Sequence, residues 1–305
     1  MKHIIRPMGL LKVSGESRLD LINRMSTNQV ALLKVGQGAA TVLTTDIGRI
    51  IDRLIVYADE SSAIVMTGED NDDNIGRYLM RFVFFNDDFS IQPITDQYSA
   101  LFVYGADSAQ KLGEISGSEL NLTLHSWQKV TVNGVELTIH TTDPLENEGF
   151  LLLVPRDKEE KIASELIQVG SEPINEAQFD ELRIQALQPR LRYEMTGDYI
   201  PLETGLWDDV SFTKGCYTGQ EIIARMDSRG KIARKLVQLN VELSDSDSPS
   251  LATGDIIKAN GKPAGTITTA AGKLAMGYVK SSALDKQIPL MVGDIPVQAV
   301  FEPQK

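Results

Sequence analysis

The chain of 305 residues contains a single cysteine, Cys216, and only three histidines, His3, His125 and His140. One cysteine cannot form an internal disulfide framework, and it cannot supply the four thiolates of an ordinary iron–sulfur cluster. The histidines lack the spacing of a metal site, so we expect each to be a surface or strand residue. The sequence therefore predicts no bound metal, and any cluster would have to be shared between chains or carried by a partner.

Long apolar runs and an excess of positive charge are also absent. No stretch approaches the roughly 18 apolar residues that a membrane span requires, and the first residues lack the apolar core of a signal peptide. With 30 basic and 42 acidic residues the net charge is −12, which argues against a general affinity for nucleic acid. We expect a cytoplasmic protein that binds neither membranes nor nucleic acid directly.

Phosphate-binding signatures are missing as well, since the sequence has no Walker loop and no dinucleotide-binding fingerprint. One local cluster of cations stands against the acidic background and comprises Arg225, Arg229, Lys231, Arg234 and Lys235. The simpler interpretation is a solvated helix end followed by the start of a strand. The alternative is a site for a small anion, such as the carboxylate tail of a cofactor, because arginine pairs with carboxylates through two parallel hydrogen bonds.

The pattern of apolar and polar residues changes near residue 233. Before it, short strands alternate with amphipathic helices, which predicts an α+β body over residues 1–232 with room for two similar halves. After it, short β-like runs separated by turns predict a small β-barrel over residues 233–305. Within the body, Asn133-Gly134 is a strong hairpin signal, and Pro189 is expected to end a helix that runs from Glu176 to Leu187.

The most distinctive segment surrounds the cysteine and reads Lys214-Gly215-Cys216-Tyr217-Thr218-Gly219-Gln220-Glu221. Thr218 and Glu221 have the spacing of a capping box at a helix start. Cys216 would then lie near the partly positive helix terminus, and both that terminus and Lys214 favour the thiolate. The two glycines of the string allow unusual backbone angles or the close approach of another group. The alternative is a buried, unreactive thiol, since free cysteines are usually buried.

The segment from Val210 to Glu221, followed by Ala224-Arg225, resembles the signature of the YgfZ family. Members of this family are relatives of the glycine-cleavage T-protein and are implicated in folate-dependent assembly or repair of iron–sulfur enzymes, with a link to tRNA modification. Weaker matches extend over nearly the full length; they are Val13-Ser14-Gly15-Glu16, Gly48-Arg49-Ile50-Ile51-Asp52, Leu182-Arg183-Ile184, Ile200-Pro201, Glu203, Gly265-Thr266-Ile267 and Gly277-Tyr278-Val279. The resemblance implies a T-protein-like, folate-binding α+β body of ferredoxin-like pieces around a central opening, plus a small C-terminal β-barrel.

The functional residues of the T-protein are matched unevenly. T-proteins have paired aspartates after a glycine turn, and the second is taken as catalytic, whereas this chain has Asp52 followed by Arg53. A cation in that place cannot supply the same acid–base role. T-proteins also hold the pterin ring with a glutamate. The matching residue here is Gln185, which can hydrogen-bond but carries no negative charge.

The resemblance leads to a first hypothesis, in which the protein is a folate-binding accessory protein for iron–sulfur enzymes. Cys216 acts as a thiol at the mouth of the folate opening, and Lys214 keeps it partly ionised. Tyr217 packs or hydrogen-bonds nearby, Glu221 caps the helix, and Arg225 pairs with the loop or with the folate carboxylates. The set expected to bind tetrahydrofolate comprises Gln185, Arg53, Tyr217, Arg225 and Glu203. The expected partners are iron–sulfur proteins or cluster-assembly factors.

Two other hypotheses stay open. In one, the protein is a tetrahydrofolate-dependent aminomethyl or methyl transferase that resembles the T-protein, although Arg53 and Gln185 count against it. In the other, the cysteine loop has a structural role and packs the body against the barrel, which predicts a buried, unreactive thiol.

Overall fold

A computed structural model of the chain describes residues 1–230, 232–241 and 250–300. Contacts between residues divide the chain into two compact units. The first unit comprises Met1–Ile174 and Asp208–Gln220, and the second comprises Asn175–Trp207 and Glu221–Lys305. Among the described residues, no helix combines the length and the apolar character needed to cross a bilayer.

The first half of the first unit is built on an antiparallel five-stranded sheet. In chain order the elements are β1 (Lys2–Arg6), β2 (Met8–Ser14), α1 (Arg18–Met25), β3 (Gly38–Thr44), β4 (Ile50–Ala58), β5 (Ser62–Glu69), α2 (Asp72–Met80) and β6 (Ser90–Pro93). The sheet has the order β3-β4-β5-β2-β6. The buried sides of α1 and α2, with Leu21, Ile22, Ile75 and Leu79, share one apolar core with sheet residues such as Val56. Each such buried side chain contributes roughly 1.5–3 kcal/mol, so this core holds the helices on the sheet.

The second half of the first unit is built on a six-stranded sheet. Its elements are β7 (Tyr98–Tyr104), α3 (Ser108–Ser116), β8 (Trp127–Val132), β9 (Val135–Glu146), β10 (Glu148–Pro155), α4 (Glu159–Gln168) and β11 (Glu172–Pro173), with short 3-10 turns at Thr95–Gln97 and Arg156–Lys158. The sheet has the order β11-β1-β7-β10-β9-β8. The predicted hairpin is confirmed, because Asn133 and Gly134 join β8 to β9 with positive φ angles of 47° and 75°.

The two halves have the same topology. In each, a first strand is followed by a helix, three antiparallel strands and a second helix, and the first strand pairs with the last of those three. This is the ferredoxin-like order with one added strand. In the second half, β1 from the N-terminus occupies the position beside β7 that β6 occupies beside β2 in the first half. The α+β body of ferredoxin-like pieces is thereby confirmed.

The second unit contains the predicted β-barrel. Its elements are α5 (Glu176–Gln185), α6 (Gln220–Arg229), β12 (Arg234–Val241), β13 (Ile256–Ala259), β14 (Lys262–Ala271), β15 (Leu274–Lys280), α7 (Ser281–Leu284), β16 (Leu290–Val292) and β17 (Ile295–Val300). The strands close in the order β12-β15-β14-β13-β16-β17. Alternate residues such as Val237, Leu239, Ile257 and Ile267 fill the apolar interior.

Helix α5 belongs to the barrel unit although it precedes the domain boundary predicted near residue 233. It begins at a capping box formed by Asn175 and Gln178. It ends at Gln185, two residues before the predicted end, and Leu187 has a left-handed φ of 51° that no helix continues. Ile184 packs with Leu236 and Tyr278 of the barrel, and this contact explains why α5 groups with the barrel.

A buried ion pair fixes α5 to the barrel. Arg183 donates to the carboxylate of Glu194 at 2.8 Å and to the hydroxyl of Thr269 at 2.6 Å. The same carboxylate accepts hydrogen bonds from the hydroxyls of Thr268 and Thr269 at 2.7 and 2.6 Å. Both charged side chains are almost inaccessible, at 1% and 0% exposure, so neither charge has solvent as an alternative partner.

Replacing Glu194 by glutamine should therefore destabilise the second unit. Glu194→Gln keeps the shape but removes one of the two carboxylates that pair with Arg183 and leaves Asp180 as its counterion, which costs about 1.5–3 kcal/mol because the lost hydrogen bonds are buried and charged. Urea unfolding followed by fluorescence measures the change. The matched control is Glu176→Gln on α5, the helix that carries Arg183. The Glu176 side chain is half exposed, so its ion pair with Arg190 should contribute less than about 1 kcal/mol. Equal losses in the two variants would contradict the assignment.

Candidate functional site

The cysteine loop, defined as residues 210–219, lies in the first unit. The residues that lead into it are hydrogen-bonded to the segment that directly follows α1. The Thr27 hydroxyl donates to the carbonyl of Asp209 at 2.6 Å, and the amide of Ser211 donates to the carbonyl of Thr27 at 3.0 Å. The side-chain amide of Asn28 donates to the carbonyl of Asp208 at 3.1 Å. These bonds fix the backbone at the start of the loop.

Lys214 is used to hold the loop in place. Its ammonium donates to three backbone carbonyls, those of Asn23, Ser26 and Asn28, at 2.6, 2.8 and 2.8 Å. These acceptors lie at and after the C-terminal end of α1, where helix carbonyls lack partners and favour a cation. Burial lowers the pKa of Lys214 to about 8. The three protons of Lys214 are directed to these carbonyls, so Lys214 holds the loop, and its effect on the ionisation of Cys216 stays a prediction.

Cys216 itself is exposed. The next residue, Tyr217, is buried, and burial raises the pKa of its phenol to about 12, so the phenol is neutral at pH 7. The Lys214 ammonium lies 5.5 Å from the centre of the Tyr217 ring, a cation–π contact that adds to the hold on the loop. The loop thus anchors the residues on both sides of Cys216 and leaves the thiol accessible, which contradicts the alternative of a buried cysteine.

The end of the loop is fixed against the turn between β3 and β4. The Thr44 hydroxyl donates to the carbonyl of Thr218 at 2.6 Å. Gly219 has a φ of 84°, and a Cβ at this position would lie 2.6 Å from the carbonyl oxygen of Thr45, so only glycine fits. Gly215 differs, because a Cβ there would meet no atom within 4 Å. The close approach expected at both glycines is found at Gly219 alone.

The predicted capping box is not formed. Helix α6 begins at Gln220, whose amide donates to the carbonyl of Tyr217, and the carbonyl of Thr218 is bound by Thr44. Glu221 instead pairs with Arg225 one turn later at 2.7 Å, with side-chain exposures of 84% and 46%. An exposed pair at this spacing adds only about 0.3–0.5 kcal/mol, so it supports the helix and little else.

A partly buried ion trio, defined as Arg53, Asp143 and Asp209, includes the residue that the family resemblance matches to the second aspartate of T-proteins. Arg53 donates to Asp143 at 2.8 Å and to Asp209 at 2.6 and 3.4 Å. Burial opposes the charge of Arg53, but the two carboxylates outweigh it and hold the pKa well above the ordinary value. Burial likewise acts to raise the pKa of Asp143, yet Arg53 keeps it lowered. Arg53 and Asp143 are therefore charged at pH 7.

The net charge at this position depends on all three groups of the trio and not on Arg53 alone. One cation between two carboxylates leaves a net charge of −1, so the position is acidic even though an arginine replaces the aspartate. Sequence reasoning missed both carboxylates. Asp209 directly precedes the signature that begins at Val210, and that adjacency was the available signal. Asp143 lies in β9, 90 residues from Arg53, and no local pattern marks it.

Buried polar atoms without partners occur in two residues on which the charges of the trio act. The hydroxyl of Tyr57 and Nδ1 of His125 have no hydrogen-bond partner among the described residues. Burial lowers the pKa of His125 and raises that of Tyr57, and the charges of Asp143 and Arg53 act on both groups. His125 also has a left-handed φ of 60°. Each unmet polar atom costs about 1–3 kcal/mol, a cost that a bound ligand or water would remove.

His140 is buried and packs against Tyr57. Its ring makes an edge contact with the Tyr57 ring at 4.2 Å, and its Nε2 bonds to the Thr138 hydroxyl at 2.8 Å. Burial lowers the pKa of His140 to about 3, so it stays neutral at pH 7. Within the described ranges, no group of three or more His, Cys, Asp and Glu side chains could hold a metal ion.

Four residues assigned from the sequence belong to the second unit; they are Gln185, Glu203, Glu221 and Arg225. Gln185 is the last residue of α5 and is exposed. Glu203 is buried, and its carboxylate accepts from the amide of Ile200 in its own turn at 3.3 Å. Arg53 and the cysteine loop therefore belong to the same unit. Glu203 and Glu221 bind residues close to them in the sequence.

The cation cluster is also used locally where it is described. Arg225 pairs with Glu221, and the Arg234 guanidinium lies 5.7 Å from the centre of the Tyr199 ring. Lys235 lies 4.0 Å from Asp285. Lys231 lies outside the described residues.

Alanine substitutions at the two loop glycines test whether a Cβ is excluded at Gly219 and tolerated at Gly215. Gly219→Ala forces a Cβ against Thr45 at a positive φ, which we expect to destabilise the first unit by about 1–3 kcal/mol and to accelerate labelling of Cys216. Gly215→Ala is the matched control and should change stability by less than about 0.5 kcal/mol. Urea unfolding and the rate of reaction with a charged disulfide reagent provide the measurements. Indistinguishable variants would argue against the packing described at Gly219.

Comparison with known proteins gives the family context of these features. Residues 5–214 match the family model described as the GCVT N-terminal domain, and residues 234–303 match the model described as the CAF17 C-terminal beta-barrel domain. The glycine cleavage system aminomethyltransferase T of Bartonella henselae has a similar structure, with a TM-score of 0.81 at 19% identity over 99% of this chain and 85% of that one. This likeness shows that the fold is T-protein-like.

Similar sequences include transferases. A chloroplastic transferase-like protein of Arabidopsis thaliana is 27% identical over 94% of this chain, which spans 66% of the length of that relative. An aminomethyltransferase of Alkaliphilus oremlandii is 27% identical over 97% of this chain and 78% of its own length. Because the GCVT match covers most of the chain and the barrel match follows it, the protein belongs to the GCVT N-terminal domain family, in the YgfZ/CAF17 group of T-protein relatives.

Proposed function

We propose that the protein is a folate-binding accessory protein that supports the assembly or repair of iron–sulfur enzymes, with Cys216 as its reactive group. The observation that carries this proposal is an exposed thiol on a loop whose backbone is fixed on both sides. A thiol that served only packing would gain from burial, and the clamps at Lys214 and Gly219 would have no further use. A fixed, exposed thiol can instead meet a partner at a defined position.

Tetrahydrofolate is the cofactor that the family implies, and the residues around the trio fit such a molecule. Asp143 is 27% exposed and uses one carboxylate oxygen on Arg53, which leaves the other to accept N–H groups such as those of a pterin. The charge of Asp143 acts on Tyr57 and His125, and each of these residues has a buried polar atom without a partner. Bound tetrahydrofolate would supply a carrier for one-carbon units at its ring nitrogens.

The chain's own residues then have distinct tasks in the proposal. Asp143 binds the donor edge of the ligand, and Arg53 fixes the orientations of Asp143 and Asp209 by hydrogen-bonding to both. Cys216 acts as its thiolate, since only the thiolate is an effective nucleophile or metal ligand. Lys214 positions the loop and does not touch the substrate. The proposed partners are iron–sulfur proteins or cluster-assembly factors, and the proposed location is the cytoplasm, where thiols stay reduced.

A second candidate is a tetrahydrofolate-dependent aminomethyl or methyl transferase. It is supported by the named aminomethyltransferases among the relatives and by the T-protein-like fold. Against it stands the trio, in which Arg53 is fully paired and cannot act as an acid or base. Transfer of a labelled aminomethyl group from a small amine or a carrier protein to tetrahydrofolate would favour this candidate over the first.

Folate binding can be tested at Asp143. We expect Asp143→Asn to weaken tetrahydrofolate binding about tenfold, because a hydrogen bond to a charged group contributes about 1.5–3 kcal/mol. Calorimetric titration under anaerobic conditions measures the affinity. The matched control is Asp59→Asn, since Asp59 also pairs with a cation, Lys129, on the surface of the first unit. An unchanged affinity in Asp143→Asn would remove the trio from the folate site.

The same titration with Gln185→Glu tests the residue that the family resemblance assigns to the pterin. Tighter binding by this variant would support Gln185 as the pterin contact, because a carboxylate suits the guanidine-like edge better than an amide. If Gln185→Glu has no effect while Asp143→Asn weakens binding, the pterin assignment moves to Asp143.

The role of the thiol is tested in cells. In a strain that lacks the gene, wild-type protein should restore the activity of [4Fe–4S] enzymes such as aconitase, whereas Cys216→Ser should restore less than about a tenth of it. An exposed Cys-to-Ser change should alter stability by less than about 0.5 kcal/mol, so loss of fold cannot explain the result. Full restoration by Cys216→Ser would exclude the thiol role.

A further inference from the structure

A cluster of exposed aromatic side chains follows α2 in the first unit. Phe82, Phe84 and Phe85 are 36%, 60% and 104% exposed. Single exposed apolar residues are ordinary, but three large rings within four residues form a contiguous apolar surface that normally marks an interaction site. We define the aromatic patch as Tyr78, Arg81, Phe82, Phe84 and Phe85.

The tip of this patch is held rigidly. The amide of Phe84 donates to the Asp87 carboxylate at 2.8 Å, and the amide of Asp87 donates back to the carbonyl of Phe84 at 3.0 Å. Arg24 binds the same carboxylate at 2.9 Å, and its guanidinium lies 5.1 Å from the centre of the Phe84 ring. Phe85 is therefore displayed at the tip of a fixed turn. A fixed apolar group loses little entropy on binding, which favours a role in recognition.

The charged member of the patch lacks a counterion. The Arg81 guanidinium lies 5.1 Å from the Tyr78 ring and 6.0 Å from the Phe82 ring, and it forms no ion pair within the described ranges. Arg24, in contrast, is already paired with Asp20 and Asp87. An arginine stacked on aromatic rings with its hydrogen-bond donors unused is the composition typical of interface centres. It predicts a carboxylate on the partner.

The aromatic patch and the cysteine loop are linked through shared elements by two routes. Lys214 binds the carbonyl of Asn23 in the last turn of α1, and the next residue, Arg24, covers Phe84. At the other end, Gly219 contacts the turn between β3 and β4, and the charge of Asp46 in that turn acts on Tyr78. Both routes run within the first unit over neighbouring elements, so the patch and the loop that carries Cys216 have a common support.

We propose that the aromatic patch is the docking surface for the protein on which Cys216 acts, and that this client presents an apolar face with a carboxylate that pairs with Arg81. This proposal rests on the proposed function of Cys216. The rings of Phe84 and Phe85 bury against the apolar face of the client, and the ion pair at Arg81 sets its orientation. Docking then brings the iron–sulfur site of the client to the exposed thiol.

Charge favours a protein client over other occupants. The net charge of −12 repels anionic lipid surfaces, and one unpaired arginine is far fewer cations than membrane recognition needs. A second copy of this chain would bring another Arg81 to the interface in place of a carboxylate, because a two-fold interface uses the same patch on both copies. An apolar protein face with an acidic group satisfies both the rings and the arginine.

Photo-crosslinking in cells tests the identity of the occupant. With Phe85 replaced by p-benzoylphenylalanine, irradiation should give a crosslink to an iron–sulfur protein, identified by mass spectrometry. The same probe in place of Ile167, an equally apolar exposed residue on α4, should give none. Crosslinks from position 85 only to lipid, to a second copy or to no molecule would overturn the proposal.

Complementation separates docking from the function itself. Phe84→Ser with Phe85→Ser should lower restored aconitase activity at least tenfold, while the folded state, tetrahydrofolate affinity and rate of Cys216 labelling stay as in the wild type. Arg81→Glu should act in the same direction, and Ile167→Ser should restore full activity. If wild-type protein restores activity and the double variant does so equally, docking at the patch is wrong. If wild-type protein itself restores none, the proposed function has failed.

Discussion

The burial of the Lys214 ammonium among three backbone carbonyls is the constraint on which the site depends. The end of a helix leaves carbonyl groups that must find donors, and a lysine with three protons satisfies them and complements the helix dipole at once. The consequence reaches Cys216, two residues later, because the backbone on its N-terminal side is fixed to α1. Gly219 fixes the other side, so the thiol is exposed without being mobile.

Arg53 follows the same principle at the trio. A buried guanidinium is stable only when carboxylates surround it, and Asp143 and Asp209 provide them. Both cations that the sequence suggested for chemistry thus serve to position other groups. In the proposed function, the groups that bind ligands are the ones these cations position, namely the thiol of Cys216 and the second oxygen of Asp143. In this arrangement a change from aspartate to arginine keeps the site acidic and transfers the accessible carboxylate to another strand.

The aromatic patch is attached to the same helix as the cysteine loop. α1 connects all three features, since its last turn binds Lys214, its Arg24 covers Phe84, and the residues after it bind the backbone of Asp209. A reactive thiol is useful only when it meets its target, and a rigid apolar surface on the same unit provides a physical basis for selection. The exposed rings and the anchored loop are therefore two parts of one arrangement.

The sequence by itself determined the α+β character of the body, the C-terminal barrel and the β8–β9 hairpin, because local periodicity and turn residues carry this information. Only the tertiary structure decided what the charged residues do. Lys214 binds carbonyls that lie 186 to 191 residues away in the sequence, and Arg53 pairs with Asp143 at a separation of 90 residues. Glu221 pairs with Arg225, and the predicted capping box is not formed. Spacing along the chain predicts helices and turns, whereas the partner of a buried charge depends on which distant strands the fold brings together.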